Sequence, residues 1–334
     1  MHSYSSKIRV GVAGATGYAG QELVALLARH PNVDVQAAMS SRPDSAERLM
    51  PRLSHVFNGR VEPLDREKLS GLDLAFLAVP ESAAADLGAT LARAGVRVID
   101  LSGAFRIKDD ASRSRWYPAT KSLPDGVAYG LVEHYRLDVK GAQLVACPGC
   151  YPTAALLSLL PLAKAGLLDT SAGVIVDAKS GISGAGKAPS ERTHFSENHG
   201  SVAAYGVFGH RHVAEMEQEL GADVTFVPHL VPLDRGILET IYVKVQAGTT
   251  TERIADVFDA AYGHEPFVRL TGDALPEIKH VAWTNFCDIG WRLEPGSRRL
   301  VVVSCLDNLV KGAAGQALQN FNVACGFDER TALL

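Results

Sequence analysis

The stretch Gly14-Ala15-Thr16-Gly17-Tyr18-Ala19-Gly20 decides the fold. Before it, Lys7 to Ala13 carries Ile8, Val10 and Val12, the apolar run of a buried parallel strand. After it, Leu23, Val24, Leu26 and Leu27 recur at helical spacing up to His30-Pro31. A strand, a glycine-spaced turn and a helix together make a dinucleotide-binding unit. Small residues let the backbone approach a pyrophosphate, which then rests on the helix N-terminus. Gly14, Gly17 and Gly20, with Thr16 and Tyr18 between them, are therefore candidate cofactor residues. Glycine spacing alone is weak evidence, and the plain alternative is an ordinary strand-to-helix turn.

Outward from this turn the chain alternates strand and helix. The strand Val33 to Met39 ends at Ser40-Ser41-Arg42. An NAD enzyme usually holds the ribose 2′-hydroxyl there with an acid. Hydroxyls and a guanidinium suit a 2′-phosphate instead, so Ser40 and Arg42 point to NADP; the alternative for Arg42 is a solvated loop charge. Residues 43–71 read as loop with a short helix. Leu72 to Val79 is a further strand, Pro80 opens a helix to about Ala94, and Val96 to Leu101 is again a strand. This alternation predicts a parallel, doubly wound sheet. Asp100-Leu101-Ser102-Gly103-Ala104-Phe105-Arg106 then occupies a strand's C-terminal end, where ligands sit in such sheets. Arg106 is either a bidentate anion binder or an ordinary surface arginine. Residues 107–142 read as an irregular excursion.

A second corner follows at Cys147-Pro148-Gly149-Cys150-Tyr151-Pro152-Thr153. A strand (Gln143 to Ala146) enters it and a helix (Ala154 to Ala165) leaves it. Unpaired N–H groups and the helix dipole favour a thiolate at a helix start, which makes Cys150 a candidate nucleophile. Such a cysteine needs an imidazole near in space rather than in sequence. Gly209-His210-Arg211-His212 precedes a helical run and supplies the best candidates, His212 or His210; His194, His199 and His229 are weaker. Two histidines at i, i+2 also fit metal ligation, but no cluster elsewhere completes a site, so no metal is expected.

The second half is rich in strands: Gly173 to Ala178, Val224 to Pro228, Leu238 to Val245, Trp283 to Leu293 and Leu300 to Cys305. Lys179 to Lys187 holds three glycines and two serines and reads as a flexible loop, suited to contact with a cofactor ring or phosphate, or as a mobile linker. The expected division is a dinucleotide-binding domain, 1–150, completed by a C-terminal segment at about 307–334, and a second domain, 151–306.

With 334 residues, two domains are the natural expectation. The net charge of −4 gives no support to a nucleic-acid partner. No apolar run approaches a membrane span of ~18 residues, and Met1 to Lys7 has no signal-peptide core. Five cysteines, an odd number thinly spread, favour a reducing cytoplasm over a disulfide framework.

Taken together, these residues resemble the N-acetyl-gamma-glutamyl-phosphate reductase family. The matching stretches are Gly14 to Gly20, Asp100 to Arg106, Pro148 to Thr153, Ser180 to Gly186, His210 to His212 and Asp307 to Gln316. Three departures stand out: Cys147, where the family commonly has asparagine; Val132 in Tyr129-Gly130-Leu131-Val132-Glu133, where the family usually has proline; and Val213-Ala214-Glu215, which lacks the usual proline before the glutamate. The resemblance implies a Rossmann-type doubly wound parallel sheet plus an α+β second domain with a mostly antiparallel or mixed sheet. It implies NADP(H) as cofactor, a small acyl phosphate as substrate, and a homo-dimer or homo-tetramer paired through the second domain. It places Arg106, Ser180, His210 and Arg211 on the substrate. Pro80, Ser183, Gly184 and Asn308 join the cofactor set, with Cys150 and His212 catalytic. The alternatives are aspartate-semialdehyde dehydrogenase, a reductase of carrier-linked aminoadipyl or glutamyl phosphates, or an NADP-sensing regulator without activity. Cys147-Pro148-Gly149-Cys150 also fits a Cys-x-x-Cys redox pattern, but a thioredoxin-like chain is far shorter and has no dinucleotide turn.

Overall fold

The computed structural model describes residues 7–42 and 44–334. The N-terminal residues read above for a targeting signal lie, Lys7 apart, outside the described residues. Two compact units result: Met1–Pro148 with Ala313–Leu334, and Gly149–Gly312.

In the first unit, eight strands form one sheet. They are β1 (Ile8–Ala13), β2 (Val33–Met39), β3 (Arg48–Leu49), β4 (Arg60–Glu62), β5 (Leu74–Leu77), β6 (Arg97–Asp100), β7 (Val127–Tyr129) and β8 (Leu144–Ala146). Their order is β3-β4-β2-β1-β5-β6-β8-β7, and all neighbours are parallel except β3 and β4. Strand order reverses between β1 and β5, which opens a crevice at their C-terminal ends. The glycine turn lies at that end of β1 and Pro80 beyond that end of β5. Val10, Val12, Phe76 and Ile99 of the central strands are fully buried, as expected where helices cover both faces. The helix Tyr18–Leu27 turns Leu23, Val24 and Leu27 inward. The chain's last helix, Gly315–Cys325, belongs to this unit and is buried throughout.

The second unit has a seven-stranded sheet. Its strands are β9 (Val174–Gly181), β10 (Ala203–Ala204), β11 (Val224–Val231), β12 (Ile237–Lys244), β13 (Val268–Leu270), β14 (Cys287–Leu293) and β15 (Arg299–Leu306). The order is β10-β11-β9-β12-β15-β14-β13. Four neighbour pairs are antiparallel, while β11 with β9 and β13 with β14 are parallel, so the sheet is mixed. Period-2 alternation shows in β11 and β12, where every second residue is buried. Against the buried face packs the helix Cys150–Lys164, touching β12 and β15 and two further helices. Tyr151 to Leu162 are all buried, and a helix apolar on all sides belongs inside a core. The opposite face of the sheet is open, with Ile175 44% and Tyr242 43% exposed.

Four segments differ from the sequence reading. Residues 43–71, expected as loop with a short helix, also hold β3 and β4 at the edge of the first sheet. The expected loop Lys179–Lys187 starts as strand, because β9 stays paired with β11 and β12 as far as Gly181 and Ser180. Only Ile182–Ala185 turns, as a 3-10 helix. The strand expected from Trp283 starts at Cys287, since Trp283 itself has a left-handed φ of 68° that no strand accommodates. The stretch 107–142 holds two short helices, Asp110–Trp116 and Val132–Val139, and the edge strand β7. Asp109 caps the first by accepting the Ser112 N–H at 2.7 Å.

Candidate active site

In the second unit, Gly149 precedes the helix Cys150–Lys164 with no side-chain cap and no acidic residue in the first turn. The thiol of Cys150 thus stands at the positive end of a helix dipole with no carboxylate of its own turn opposing it. The side chain is half-buried and outside any disulfide. Space around it is tight: a methyl group at Gly312 would come within 2.7 Å of the Cys150 Cβ.

The helix His212–Leu220 supplies the partner. Its first residue, His212, lays Nε2 against the Gly149 backbone; a Cβ there would sit 2.5 Å from that nitrogen. One turn on, the fully buried Glu215 accepts the Gly149 N–H at 3.0 Å. His212 and Glu215, at i and i+3, share one helix face, and that face meets the thiol turn. Glu215 carries no role in the sequence reading. The signal available was its spacing from His212 on a predicted helix.

His210 is held differently. Its Nδ1 accepts the His212 backbone N–H at 3.2 Å, which leaves the ring proton on Nε2. Burial first, and the Arg211 charge second, lower its pKa to about 4, so the ring is neutral near pH 7 and donates through Nε2. Tyr151, Tyr205 and Phe226 surround it edge-on, with ring centroids 5.3 to 5.7 Å from its own. The Tyr151 and Tyr205 hydroxyls lie 3.1 Å apart, and burial pushes the Tyr205 hydroxyl up to about 12.

Ser180, buried at the end of β9, touches this group through the Tyr151 hydroxyl. Asn308 donates to the Ser183 Oγ at 3.0 Å and accepts the Gly236 N–H at 2.7 Å. Ser183 and Asn308 are therefore hydrogen-bonded, and Gly184 lies beside them: a Cβ there would sit 3.6 Å from the Asn308 Nδ2. Beside them Asp307, fully buried, accepts from Trp283 N at 2.6 Å, Leu309 N at 2.8 Å and Arg235 Nη1 at 3.2 Å. His199 stacks on Phe195, and His229 bonds the Ala178 carbonyl at 3.2 Å; neither reaches these rings.

In the first unit, Gly14 has φ 89°, and a Cβ on it would run into the Ala78 carbonyl at the end of β5. The helix Tyr18–Leu27 starts at Gly17 without a side-chain cap or an acid in its first turn. This cradle fits an anionic pyrophosphate. Arg42 is exposed, whereas Ser40 is buried with its hydroxyl committed to the Arg42 carbonyl at 2.6 Å and to Ser45. Arg106 is 5% exposed and gives Nη2 to the Leu101 carbonyl at 2.9 Å. Cys147 is 1% exposed, and burial drives its thiol far up the pKa scale.

Comparison with known proteins follows this division. Residues 9–142 match the semialdehyde dehydrogenase NAD binding domain and residues 150–308 the semialdehyde dehydrogenase dimerisation domain. N-acetyl-gamma-glutamyl-phosphate reductase of Symbiobacterium thermophilum is 45% identical over 98% of this chain and 97% of its own. The same enzyme of Brevibacillus brevis is 43% identical over 98% of both, and that of Bacillus subtilis 41% identical over 98% of both. Aspartate semialdehyde dehydrogenase II of Vibrio cholerae, solved with ASA, shares the fold with a TM-score of 0.72 at 19% identity, covering 96% of this chain and 98% of that one. The Candida albicans enzyme solved with NADP gives 0.66 at 16%, covering 95% and 98%.

Proposed function

Since the chain belongs to the N-acetyl-gamma-glutamyl-phosphate reductase family, we propose that it reduces N-acetyl-gamma-glutamyl phosphate to the semialdehyde, releasing phosphate, as a step of arginine biosynthesis. The observation that carries this reading is the His212 imidazole lying on the residue just before Cys150.

His212 takes the thiol proton while the Cys150 sulfur attacks the acyl carbonyl carbon. The carbon–sulfur bond forms, the carbon–oxygen bond to phosphate breaks, and a thioester remains on Cys150. Sulfur delocalises poorly into the carbonyl, so a thioester accepts hydride far better than a carboxylate. A bound nicotinamide dinucleotide supplies that hydride. Collapse of the adduct releases the aldehyde, and His212 returns its proton to the sulfur. His210 is too weak a base for this task and serves as an Nε2–H donor to a substrate oxygen. Glu215 keeps the Gly149 turn, and with it Cys150, aligned with His212. Arg211 stays on the substrate side, Ser180 steadies Tyr151, and Arg106 receives the phosphate.

For the dinucleotide, Gly14, Thr16, Gly17, Tyr18 and Gly20 hold the pyrophosphate with Pro80 at the crevice wall. Arg42 supports NADP over NAD, and Ser40 shapes the loop that carries it. Ser183, Gly184 and Asn308 hold the nicotinamide half. Two copies pair through the open face of the second sheet. There Ile175, Tyr242, Leu293 and Val301 line a groove of about 630 Å³, and the matched domain is named for dimerisation. Five cysteines without a disulfide support a reducing, cytoplasmic setting, and no helix of the described residues is long and apolar enough to cross a membrane.

The test is phosphate-dependent NADP reduction with two semialdehydes side by side. Turnover of N-acetylglutamate semialdehyde but not aspartate semialdehyde is expected; the opposite preference overturns the substrate assignment.

A further inference from the structure

Side chains of the stretch 188–209, Tyr205 among them, wall a cavity of about 740 Å³ that also reaches Gly184 and His210. That volume falls within the ~300–1,000 Å³ of small-ligand sites. Two side chains of the wall have no part in the chemistry described so far. Arg192 is exposed, its guanidinium 5.2 Å from the centre of the Tyr205 ring. It forms no ion pair among the described residues. Asn198 is 6% exposed, and its Oδ1 is buried with no hydrogen-bond partner. A buried acceptor left unmatched in the empty protein is matched when something donates to it. Glu191 and Glu197 share the wall and are exposed, so Arg192 is the one cation of the lining, His210 being neutral.

We propose that Arg192 and Asn198 read the far end of the substrate: Arg192 binds the carboxylate on its α-carbon, and Asn198 Oδ1 accepts the N–H of its acylamino group. The assignment rests on the acyl phosphate reading above. In that substrate both groups sit on one carbon, three bonds from the carbonyl that Cys150 attacks. The cavity meets this demand because it adjoins the His210 ring, which lies edge-on against Tyr151, the residue next to Cys150. A planar guanidinium takes a carboxylate bidentately. A secondary amide has one donor to give, and Asn198 offers one buried acceptor. No such pairing is available to a substrate that lacks the acylamino nitrogen.

Three aldehydes separate the two contacts when oxidised with NADP and phosphate: N-acetylglutamate semialdehyde, 4-acetamidobutanal, which lacks the carboxylate, and 5-oxopentanoate, which lacks the acylamino group. Wild type prefers the first. In Arg192→Ala its preference over 4-acetamidobutanal falls about 10- to 100-fold, mainly through KM, and Arg192→Lys recovers part, a point charge replacing the fork. In Asn198→Leu the preference over 5-oxopentanoate falls about 10-fold, while the carboxylate preference moves little. Ratios that stay at the wild-type values in folded, active variants overturn the proposal. A wild type that turns over none of the three overturns the acyl phosphate reading, and the proposal with it.

Discussion

The chain builds two strand–turn–helix corners, and they put the same backbone geometry to opposite uses. After β1 the turn is all small residues, and its helix Tyr18–Leu27 starts bare, without a side-chain cap. After β8 the turn carries a thiol, and its helix Cys150–Lys164 also starts without a side-chain cap of its own, Glu215 from another helix taking the Gly149 N–H. Both helix ends favour negative charge. The first offers empty space for an anion that arrives, since Gly14 has no room for a side chain of its own. The second places the anion on the protein and walls it with His212, Glu215 and Gly312. The difference is one of side chains, and it explains the contrast between two cysteines three positions apart. Cys147 is sealed at the end of the strand, 1% exposed, with its thiol driven up by burial. Cys150 stands at the helix start, half-buried and beside an imidazole.

Variants break or sharpen this contrast in order of effect. Cys150→Ser replaces the sulfur that forms the thioester; steady-state turnover should fall at least ~10³-fold, as for other covalent nucleophiles, while NADP affinity, read by fluorescence titration, changes within a few-fold. Next comes Glu215→Gln, which keeps the shape and removes the charge from the bond to Gly149 N. A charge-assisted bond is worth about 1.5–3 kcal/mol against about 1 for a neutral one. Turnover about tenfold lower and a lower denaturation midpoint are expected, with Glu215→Ala worse than Glu215→Gln on both.

A third variant probes the core under the thiol helix. Glu239 of β12 is fully buried, neither oxygen finds a hydrogen bond, and burial holds its carboxyl well above the usual range. The folded state therefore binds the proton more tightly than the unfolded chain does. Its contribution is best below the unfolded value of 4.5 and worsens as pH rises from there toward the folded value. Glu239→Gln removes that slope. Chemical denaturation from about pH 5 to pH 8 should show the variant gaining on wild type by up to about 1.4 kcal/mol per pH unit; a constant offset would mean the carboxyl is not held neutral. The smallest effect belongs to Cys147→Ser, which changes one buried atom outside the chemistry. Activity should stay within a few-fold of wild type, with the loss appearing in stability.

Much of both corners was legible because each is local: apolar run, turn residues and helical spacing lie within about twenty positions. The rest depends on chain segments that meet from far apart. Glu215 matters only because its helix lands on Gly149, 66 residues earlier in the chain. Arg192 and Asn198 lie in a stretch without periodicity, where only folding brings them to the His210 side of one cavity. The end of β9 reads as loop in the sequence because Ser180 and Gly181 look like linker residues; two neighbouring strands hold them in the sheet. The positive φ of Trp283 has no sequence signal at all. It is held from outside, by Asp307 accepting its N–H and by the Arg235 guanidinium 3.2 Å from its ring centre.

The most direct measurement is to mix the protein with N-acetyl-gamma-glutamyl phosphate in the absence of reduced dinucleotide, quench in acid and map the adduct by mass spectrometry. The account predicts one acyl group on the peptide holding Cys150, formed at a rate that collapses in His212→Asn. Acyl transfer to another residue, or full turnover with no adduct on Cys150, would contradict it.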